Sequence, residues 1–166
     1  MGLNAEIEKI ITHDFPVWRE KADFIIGLHL AEPGIADLAS SEQIWARRID
    51  ENLFEVCCIP FFAYGVALGD FVRTRDDGVK KYIIDDVVKN NGHTTYRILF
   101  RSTDEWHSTI DEIRELGCFV EVRWEKSSLI AVDAPDAGTR ARLEPFLSIL
   151  EKTGQAICEV DFRDTG

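Results

Sequence analysis

The chain is short of positive charge. It has 19 lysines and arginines against 30 aspartates and glutamates, a formal net charge of -11. Nucleic acids and anionic membranes are bound through clustered Lys and Arg, so neither kind of partner is expected. The acidity is not confined to a tail: residues 1–92 carry 10 basic and 16 acidic groups (-6), and residues 93–166 carry 9 and 14 (-5).

Long apolar runs and paired cysteine motifs are also missing. The longest apolar run, residues 59–68, is too short to span a bilayer, and residues 1–6 lack the pattern of a secretory signal. We therefore expect a cytosolic protein. No CxxC motif or Cys/His cluster with zinc-ligand spacing occurs, which predicts four buried, reduced thiols. These are Cys57, Cys58, Cys118 and Cys158.

The sequence contains no motif for nucleophilic, phosphate-binding or metal chemistry. There is no Gly-x-Ser-x-Gly elbow, P-loop or GxGxxG. The adjacent carboxylates of Asp85 and Asp86 point to opposite faces of a predicted strand, so they do not share an ion readily. The four histidines are scattered along the chain, at His13, His29, His93 and His107. We therefore expect neither a metal nor another cofactor.

Hydrophobic periodicity divides the chain into a lead-in and two units. Residues 1–21 have a weak helical pattern broken by Pro16, which predicts a partly helical lead-in segment. In residues 22–92, short alternating segments are separated by turns such as Asp76-Asp77-Gly78, with no helix between them. This pattern predicts a small antiparallel β-barrel or curled sheet.

Residues 93–166 have the pattern β-α-β-β-α-β. A capping box of Ser102 and Glu105 predicts the start of the first helix, and Pro145 is expected to kink or divide the second. This element order predicts a ferredoxin-like unit, whose antiparallel sheet has the strand order 4-1-3-2. The fold class is therefore α+β, with both units packed together as one compact body.

The predicted strand order has two consequences. Cys118 and Cys158 belong to opposite edge strands of that sheet, which excludes a disulfide between them. The third strand, residues 129–133, carries no aromatic side chain of the kind that stacks bases in RNA-binding ferredoxin-like domains. RNA binding is therefore not expected.

One segment has the composition of a functional site. It is His93-Thr94-Thr95-Tyr96-Arg97, which follows a glycine turn and is expected to lie near Gly69-Asp70. An enzymatic interpretation makes His93 a general base oriented by Asp70, with Arg97 beside them. A structural interpretation makes His93 a turn residue that ties the two units together.

The first predicted helix has an acidic outer surface. Asp104, Asp111 and Glu115 lie on one stripe, with Glu105 and Glu112 beside it. Such a surface is either an ordinary solvated face or a surface that steers and holds a basic protein. Two acidic pairs form a weaker candidate of the same kind, Asp76-Asp77 and Asp85-Asp86.

Four segments carry a family resemblance. They are Ile44-Trp45-Ala46-Arg47, Phe54-Glu55-Val56, the run from Ile59 to Val72, and Gly92-His93-Thr94-Thr95-Tyr96-Arg97. Together they resemble a bacterial family known as domain of unknown function 4265, over roughly residues 22–162. Cys57-Cys58 departs from the more polar residues of that family. The family has no settled activity, so the resemblance leaves function open. It implies a small cytosolic bacterial protein.

Three functional hypotheses follow. The leading one is a non-enzymatic protein-binding module, most specifically an immunity protein that neutralises a basic cognate toxin by occluding it. Its candidate partner-binding residues are Asp104, Asp111, Glu112 and Glu115. The first alternative is a ferredoxin-like small-molecule sensor that forms a homodimer, and the second is an enzyme that uses His93 and Asp70. The leading hypothesis leaves a monomer and a homodimer equally open.

Overall fold

The computed structural model describes residues 10–30, 40–102, 104, 106–123, 128–161 and 163. These residues form an α+β protein with ten strands in two sheets and two helices. The elements in chain order are β1 (Ile10–Ile11), β2 (Phe24–His29), β3 (Ser41–Asp50), β4 (Leu53–Val56), β5 (Phe71–Arg75), β6 (Ile83–Lys89), β7 (Thr94–Phe100), α1 (Trp106–Glu115), β8 (Phe119–Val122), β9 (Leu129–Ala134), α2 (Ala137–Lys152) and β10 (Ala156–Asp161).

The first sheet, sheet A, has the strand order β1-β3-β2-β6-β5-β4 and closes on itself through a second pairing of β3 with β4. The closure is possible because β3 is ten residues long and pairs with two strands, so that Ala46 lies opposite both Phe24 and Val56. Register shifts after Arg48 and Phe71 increase the local bend. The curled sheet is therefore present, although β2 meets β6 in parallel rather than antiparallel orientation.

The lead-in differs from its prediction within the part of it that the structure describes. Residues 10–21 contain the short strand β1, which pairs in parallel with β3, and turns around Trp18 instead of a helix. The helical pattern fails here because Pro16 and the packing of Ile11 against the sheet favour extended backbone. The preceding residues, 1–9, lie outside the described part of the chain.

The second sheet, sheet B, has the strand order β10-β7-β9-β8, and all its neighbours are antiparallel. Counted along the chain, this is the order 4-1-3-2 that the sequence predicts. Both helices cover one face, where they bury the alternate side chains Tyr96, Ile98 and Phe100 of β7. The opposite face packs against the segment that joins β4 to β5, with Ala131 beside Phe61 and Leu68.

The helix ends follow their sequence signals in part. The Ser102 hydroxyl accepts a hydrogen bond from the Asp104 N–H at 3.3 Å, but α1 begins only at Trp106. Glu105, the second residue of the predicted capping box, lies outside the described residues. Asp136 caps α2 by accepting the Thr139 N–H at 2.7 Å, and α2 continues through Pro145 without being divided.

The cysteines are free thiols. Cys118 precedes β8 and Cys158 lies on β10, at opposite edges of sheet B, as the strand order predicts. Burial raises the pKa of the Cys57 thiol to about 12 and that of Cys118 to about 11, so these thiols are weak nucleophiles. Cys158 is only half-buried, which corrects the prediction that all four are buried. In the described part of the chain, no helix has the length and apolar character to cross a membrane.

Candidate functional site

His93 lies at the turn before β7 and contacts a carboxylate of the next strand in sheet B. Its Nδ1 is 2.6 Å from Oδ2 of Asp133, and Asp133 is completely buried. Burial raises the pKa of Asp133 to about 6, although the hydrogen bond and charge of His93 oppose that rise. The prediction that Asp70 orients His93 is therefore wrong, because the carboxylate that contacts the His93 ring is that of Asp133.

Asp70 has a different task nearby. Its side chain accepts hydrogen bonds from the N–H groups of Ala67 at 2.9 Å and Asn91 at 3.2 Å, and it pairs with the Arg163 guanidinium. Arg163 also donates to the carbonyl oxygen of His93 at 2.7 Å. Asp70 and His93 thus belong to one network, but Arg163 joins them through the backbone of His93 and not through its ring.

Arg97 projects from the sheet B face that is opposite to the helices. Its guanidinium lies 4.6 Å from the centre of the Tyr64 ring and donates to the carbonyl oxygen of Ala63. The Tyr64 hydroxyl in turn donates to Glu159 at 2.5 Å. Arg97 is 5% exposed, so it holds the β4–β5 connection against sheet B, away from the ring of His93.

A second histidine cluster, absent from the sequence predictions, lies where the two sheets meet. His13 Nε2 is 2.8 Å from Oε1 of Glu42 on β3, and His13 Nδ1 is 2.8 Å from Oε1 of Glu121 on β8. All three residues are buried. The ring stacks on Phe61 with 4.6 Å between centroids.

Backbone N–H groups complete the coordination of both carboxylates. Glu42 accepts from Phe61 at 2.6 Å and from Ala63 at 2.8 Å, and Glu121 accepts from Ile59 at 2.5 Å. Most of their donors come from one short segment, residues 59–63, which is folded around the two carboxylates, and the Val17 N–H adds a longer contact of 3.4 Å to Glu121. This geometry satisfies the buried charges by hydrogen bonds, as buried ions require.

The titration of this cluster follows from its surroundings. Burial by itself lowers the pKa of His13, but the neighbouring Cys58, Glu121 and Glu42 raise it well above its ordinary value. Burial by itself raises the pKa of Glu42, but His13 and the N–H groups of Phe61 and Phe62 bring it below its ordinary value. The favoured state is an imidazolium between two carboxylates.

Spacing could not reveal this cluster, because Glu42 and Glu121 lie 29 and 108 residues from His13. The pattern of β8 gave no signal either, because Glu121 alternates with the core residues Val120 and Val122 and is therefore expected on the solvent side of the strand. In the structure that side is covered by His13 and residues 59–63, which bury Glu121.

The acids predicted for the first helix are exposed, but Asp104 precedes α1, which begins at Trp106. Asp104, Asp111, Glu112 and Glu115 are all exposed. Asp111 is 3.6 Å from Arg114, which is the one ion pair of these four within the described residues.

The weaker acidic candidates are tied into sheet A. Asp85 lies 3.1 Å from Arg75, and Asp86 lies 3.6 Å from Arg73, so each carboxylate has its own arginine. Asp77 accepts the N–H groups of Val79 and Lys80 and contacts His29 at 2.7 Å. These contacts make the second acidic surface less suited to an external cation than α1.

Neither His13 nor His93 lines the cavity beside the start of α1. A cavity of about 360 Å³ beside the start of α1 is lined in part by Arg101, Asp104 and Trp106, and its lining includes no histidine. Among the described residues, no group of three or more His, Cys, Asp or Glu side chains is arranged to hold a metal ion. The His13 cluster, whose carboxylates come from β3 and β8, is best suited to joining the two sheets.

Fold and site together define a small two-sheet α+β protein whose sheets are joined by buried charged pairs. The chain belongs to the family described as Domain of unknown function (DUF4265), whose model matches residues 42–157. It is also similar to a solved structure described as a hypothetical protein from Neisseria gonorrhoeae, with 20% identity and a TM-score of 0.61, over 82% of this chain and 94% of that one. None of the curated proteins matches the chain.

Proposed function

We propose that the protein is a non-enzymatic protein-binding module that takes a basic partner on the acidic face of α1. Its most specific form is a bacterial immunity protein that binds and occludes a basic toxin in the cytoplasm. The observation that carries the proposal is the difference between the acidic surfaces. Glu112 and Glu115 project from α1 without an ion pair to a described residue, whereas Asp85 and Asp86 of sheet A face arginines.

The electrostatics of this surface favour recognition over structure. An exposed carboxylate without a cation contributes little to stability, and a row of them raises the local negative potential. Such a potential speeds the approach of a basic protein and disfavours acidic competitors. The cationic side of the complex would come from the partner, since Arg114 is the one basic residue in the described part of the chain that pairs with these acids.

The buried clusters support binding over catalysis. An enzymatic His93 would need its ring next to a substrate, but the His93 side chain is 8% exposed and the Trp18 ring lies edge to face against it. Asp70 is fully enclosed and satisfied by Arg163 and backbone N–H groups. The His13 cluster and the Asp70–Arg163 pair connect the two sheets, and we take the exposed surface as the functional part.

The experiment co-expresses the chain with the product of its adjacent gene and measures growth rescue, co-purification and the salt dependence of the complex. A variant with Asp104→Asn, Asp111→Asn, Glu112→Gln and Glu115→Gln tests the α1 face. The matched control removes four exposed acids elsewhere, with Asp14→Asn, Glu20→Gln, Glu51→Gln and Asp86→Asn.

The proposal expects the α1 variant to weaken the complex and to flatten its salt dependence, because attraction between exposed charges is screened by salt. The control should bind as the unmodified protein does. Equal binding and equal salt dependence of the two variants would contradict the α1 assignment. A toxic gene product that the chain neither binds nor neutralises would contradict the immunity form.

The finer fold assignments support this proposal by analogy of architecture alone. We assign residues 93–166 to the ferredoxin-like arrangement, supported by the strand order β10-β7-β9-β8 with both helices on one face. We assign sheet A to the small barrels, supported by the ladder that joins β3 to β4.

A small-molecule sensor is the second candidate function. The observation that favours it is Arg97, whose Nε and Nη1 have no hydrogen-bond partner among the described residues although the side chain is buried. Buried guanidinium groups normally have acceptors, and a carboxylate or phosphate ligand would supply them. The sensor predicts a melting temperature that rises with such a ligand by mass action, and Arg97→Met would remove that rise.

A further inference from the structure

The segment of residues 10–23, here called the strap, crosses the junction of the two sheets. Its first residues form β1 on the edge of β3. Farther along, the Trp18 N–H donates to the carbonyl oxygen of Cys57 at 3.1 Å, and the Asp23 N–H donates to that of Ala46 at 3.0 Å. The Trp18 ring meets His93 and Phe119 edge to face, so one segment contacts both sheets.

His13 is the buried cationic side chain of the strap. Its two ring nitrogens face carboxylates from different sheets, Glu42 and Glu121, each at 2.8 Å. A carboxylate that already accepts backbone N–H groups is an acceptor, and an imidazole can donate in two opposite directions only when both nitrogens are protonated. With both carboxylates acting as acceptors, this geometry requires the charged ring.

We propose that the strap is a proton-controlled latch, in which the imidazolium of His13 holds residues 10–23 across both sheets and loss of its proton releases them. The titratable groups that face the ring are Glu42 from β3, Glu121 from β8 and Cys58 from the connection after β4. Cys58 and the two carboxylates hold the proton on the ring. The Phe61 ring stacks on one face of the His13 ring.

Release has a clear physical cause. A neutral imidazole donates one hydrogen bond, so one of the two carboxylates would face a ring lone pair in a buried position. Two buried anions without a cation between them repel each other and lose the partner that compensated their desolvation. Moving the strap away lets water reach Glu42 and Glu121, which restores their solvation.

The sign of the pH dependence follows from the raised pKa of His13 in the folded protein. The latch is fully closed below the pKa of an unfolded histidine, about 6.5. It opens as the pH rises through the higher pKa of the folded state. Alkaline pH therefore releases the strap, with the β1–β3 pairing that it contains, while the other ladders of both sheets stay intact.

Hydrogen exchange of the full-length protein tests the latch directly. Protection factors are corrected for the intrinsic effect of pH and compared between about pH 7 and about pH 10. The amides of Trp18 and Asp23 should lose protection by about tenfold or more, while those of β9 keep theirs. Nitrogen NMR of His13 should detect two ring protons at about pH 7. A single ring proton, or constant protection of the strap, would overturn the proposal.

A His13→Gln variant removes the cation and keeps a polar side chain. It should show low protection of the strap at every pH. The matched control is His29→Gln, which also removes a histidine bonded to a carboxylate, but at an exposed site 2.7 Å from Asp77. The control should keep the alkaline release of the unmodified protein. Equal pH profiles for both variants and the unmodified protein would overturn the latch.

If His13→Gln does not fold, Glu121→Gln provides the second test. This change leaves Glu42 on the ring and removes one of the two anions that hold the proton. The pH midpoint of strap release should therefore move to a lower value. With one anion removed, the imidazolium of His13 is stabilised less and loses its proton at a lower pH. An unchanged midpoint would overturn the role assigned to His13.

Discussion

Asp133 on β9 and His93 before β7 are joined by a contact of 2.6 Å between Oδ2 and Nδ1, in a position where Asp133 has no solvent exposure. Close to this pair, Arg163 contacts Asp70 and donates a hydrogen bond to the carbonyl oxygen of His93. Because burial raises the pKa of Asp133 to about 6, its carboxylate gains a proton more easily in the folded protein than in the unfolded chain.

Asp133 should therefore give the protein a distinctive pH dependence. Its stabilising contribution is fully present below the unfolded pKa of about 3.9 and is lost as the pH rises through about 6. Relative to Asp133→Asn, the unmodified protein should gain about 2 kcal/mol between about pH 7 and about pH 4. Urea unfolding of both proteins at several pH values measures the difference. A difference that does not change with pH would contradict the raised pKa.

The sequence placed His93 in the right neighbourhood but assigned it the wrong carboxylate. The glycine turn and the segment after it indicated that His93 approaches Gly69-Asp70, and Gly69 does lie beside the ring. The choice of Asp133 depends on the register between β7 and β9, in which Thr95 lies opposite Asp133. Register across a sheet is set by side-chain packing over many residues, so one local motif does not contain it.

Removing Arg163 should destabilise the protein by leaving Asp70 without a cation. Breaking a buried pair at one partner costs about 3–5 kcal/mol, and Asp70 is fully enclosed. Arg163→Met should lower the free energy of unfolding by that amount in urea titrations. Arg73→Met is the control, because its pairing with Asp86 is exposed and should contribute less than about 1 kcal/mol. Similar losses for the two variants would argue against the network around Asp70.

Two glycines with nearly the same backbone angle separate conformational strain from steric contact. Gly69 has φ +82° and Gly65 has φ +79°, but a Cβ at Gly69 would lie 2.7 Å from Asn91 Nδ2, while at Gly65 it would meet nothing within 4 Å. Gly65→Ala should cost about 1–2 kcal/mol from the left-handed backbone. Gly69→Ala should cost more, since the side chain of Asn91 must also move. Thermal unfolding of both variants measures the two losses of stability. Equal losses would show that the Asn91 side chain moves away without a cost in free energy.

Elements with local signals were predictable, whereas the strap was not. Alternation in β7 and the apolar stripe of α1 depend on neighbouring residues, and they led to the 4-1-3-2 order of sheet B. His13 carries no such signal, because its partners on β3 and β8 come from distant parts of the chain. Buried ion pairs are long-range features, so local sequence patterns reveal neither this cluster nor Arg163.

Pro145 is the residue at which a local rule was overridden by packing. A proline inside a helix removes one backbone hydrogen bond and crowds the carbonyl group four residues earlier, here that of Ala141. Nevertheless α2 runs through Pro145, with the buried side chains of Leu143 and Leu147 on either side of it. Their burial against sheet B stabilises the helix by more than the proline destabilises it.

The helix should therefore become more stable when the proline is removed. Pro145 is exposed, so Pro145→Ala leaves no cavity and restores an N–H that can donate to Ala141. We expect a gain of about 1–3 kcal/mol in the free energy of unfolding, up to the full interior penalty of proline. Ile149→Ala, at an exposed site of the same helix, should change stability by about 0.5 kcal/mol or less. Urea unfolding measures both. A loss of stability in Pro145→Ala would show instead that the proline ring is needed to shape α2 against the sheet.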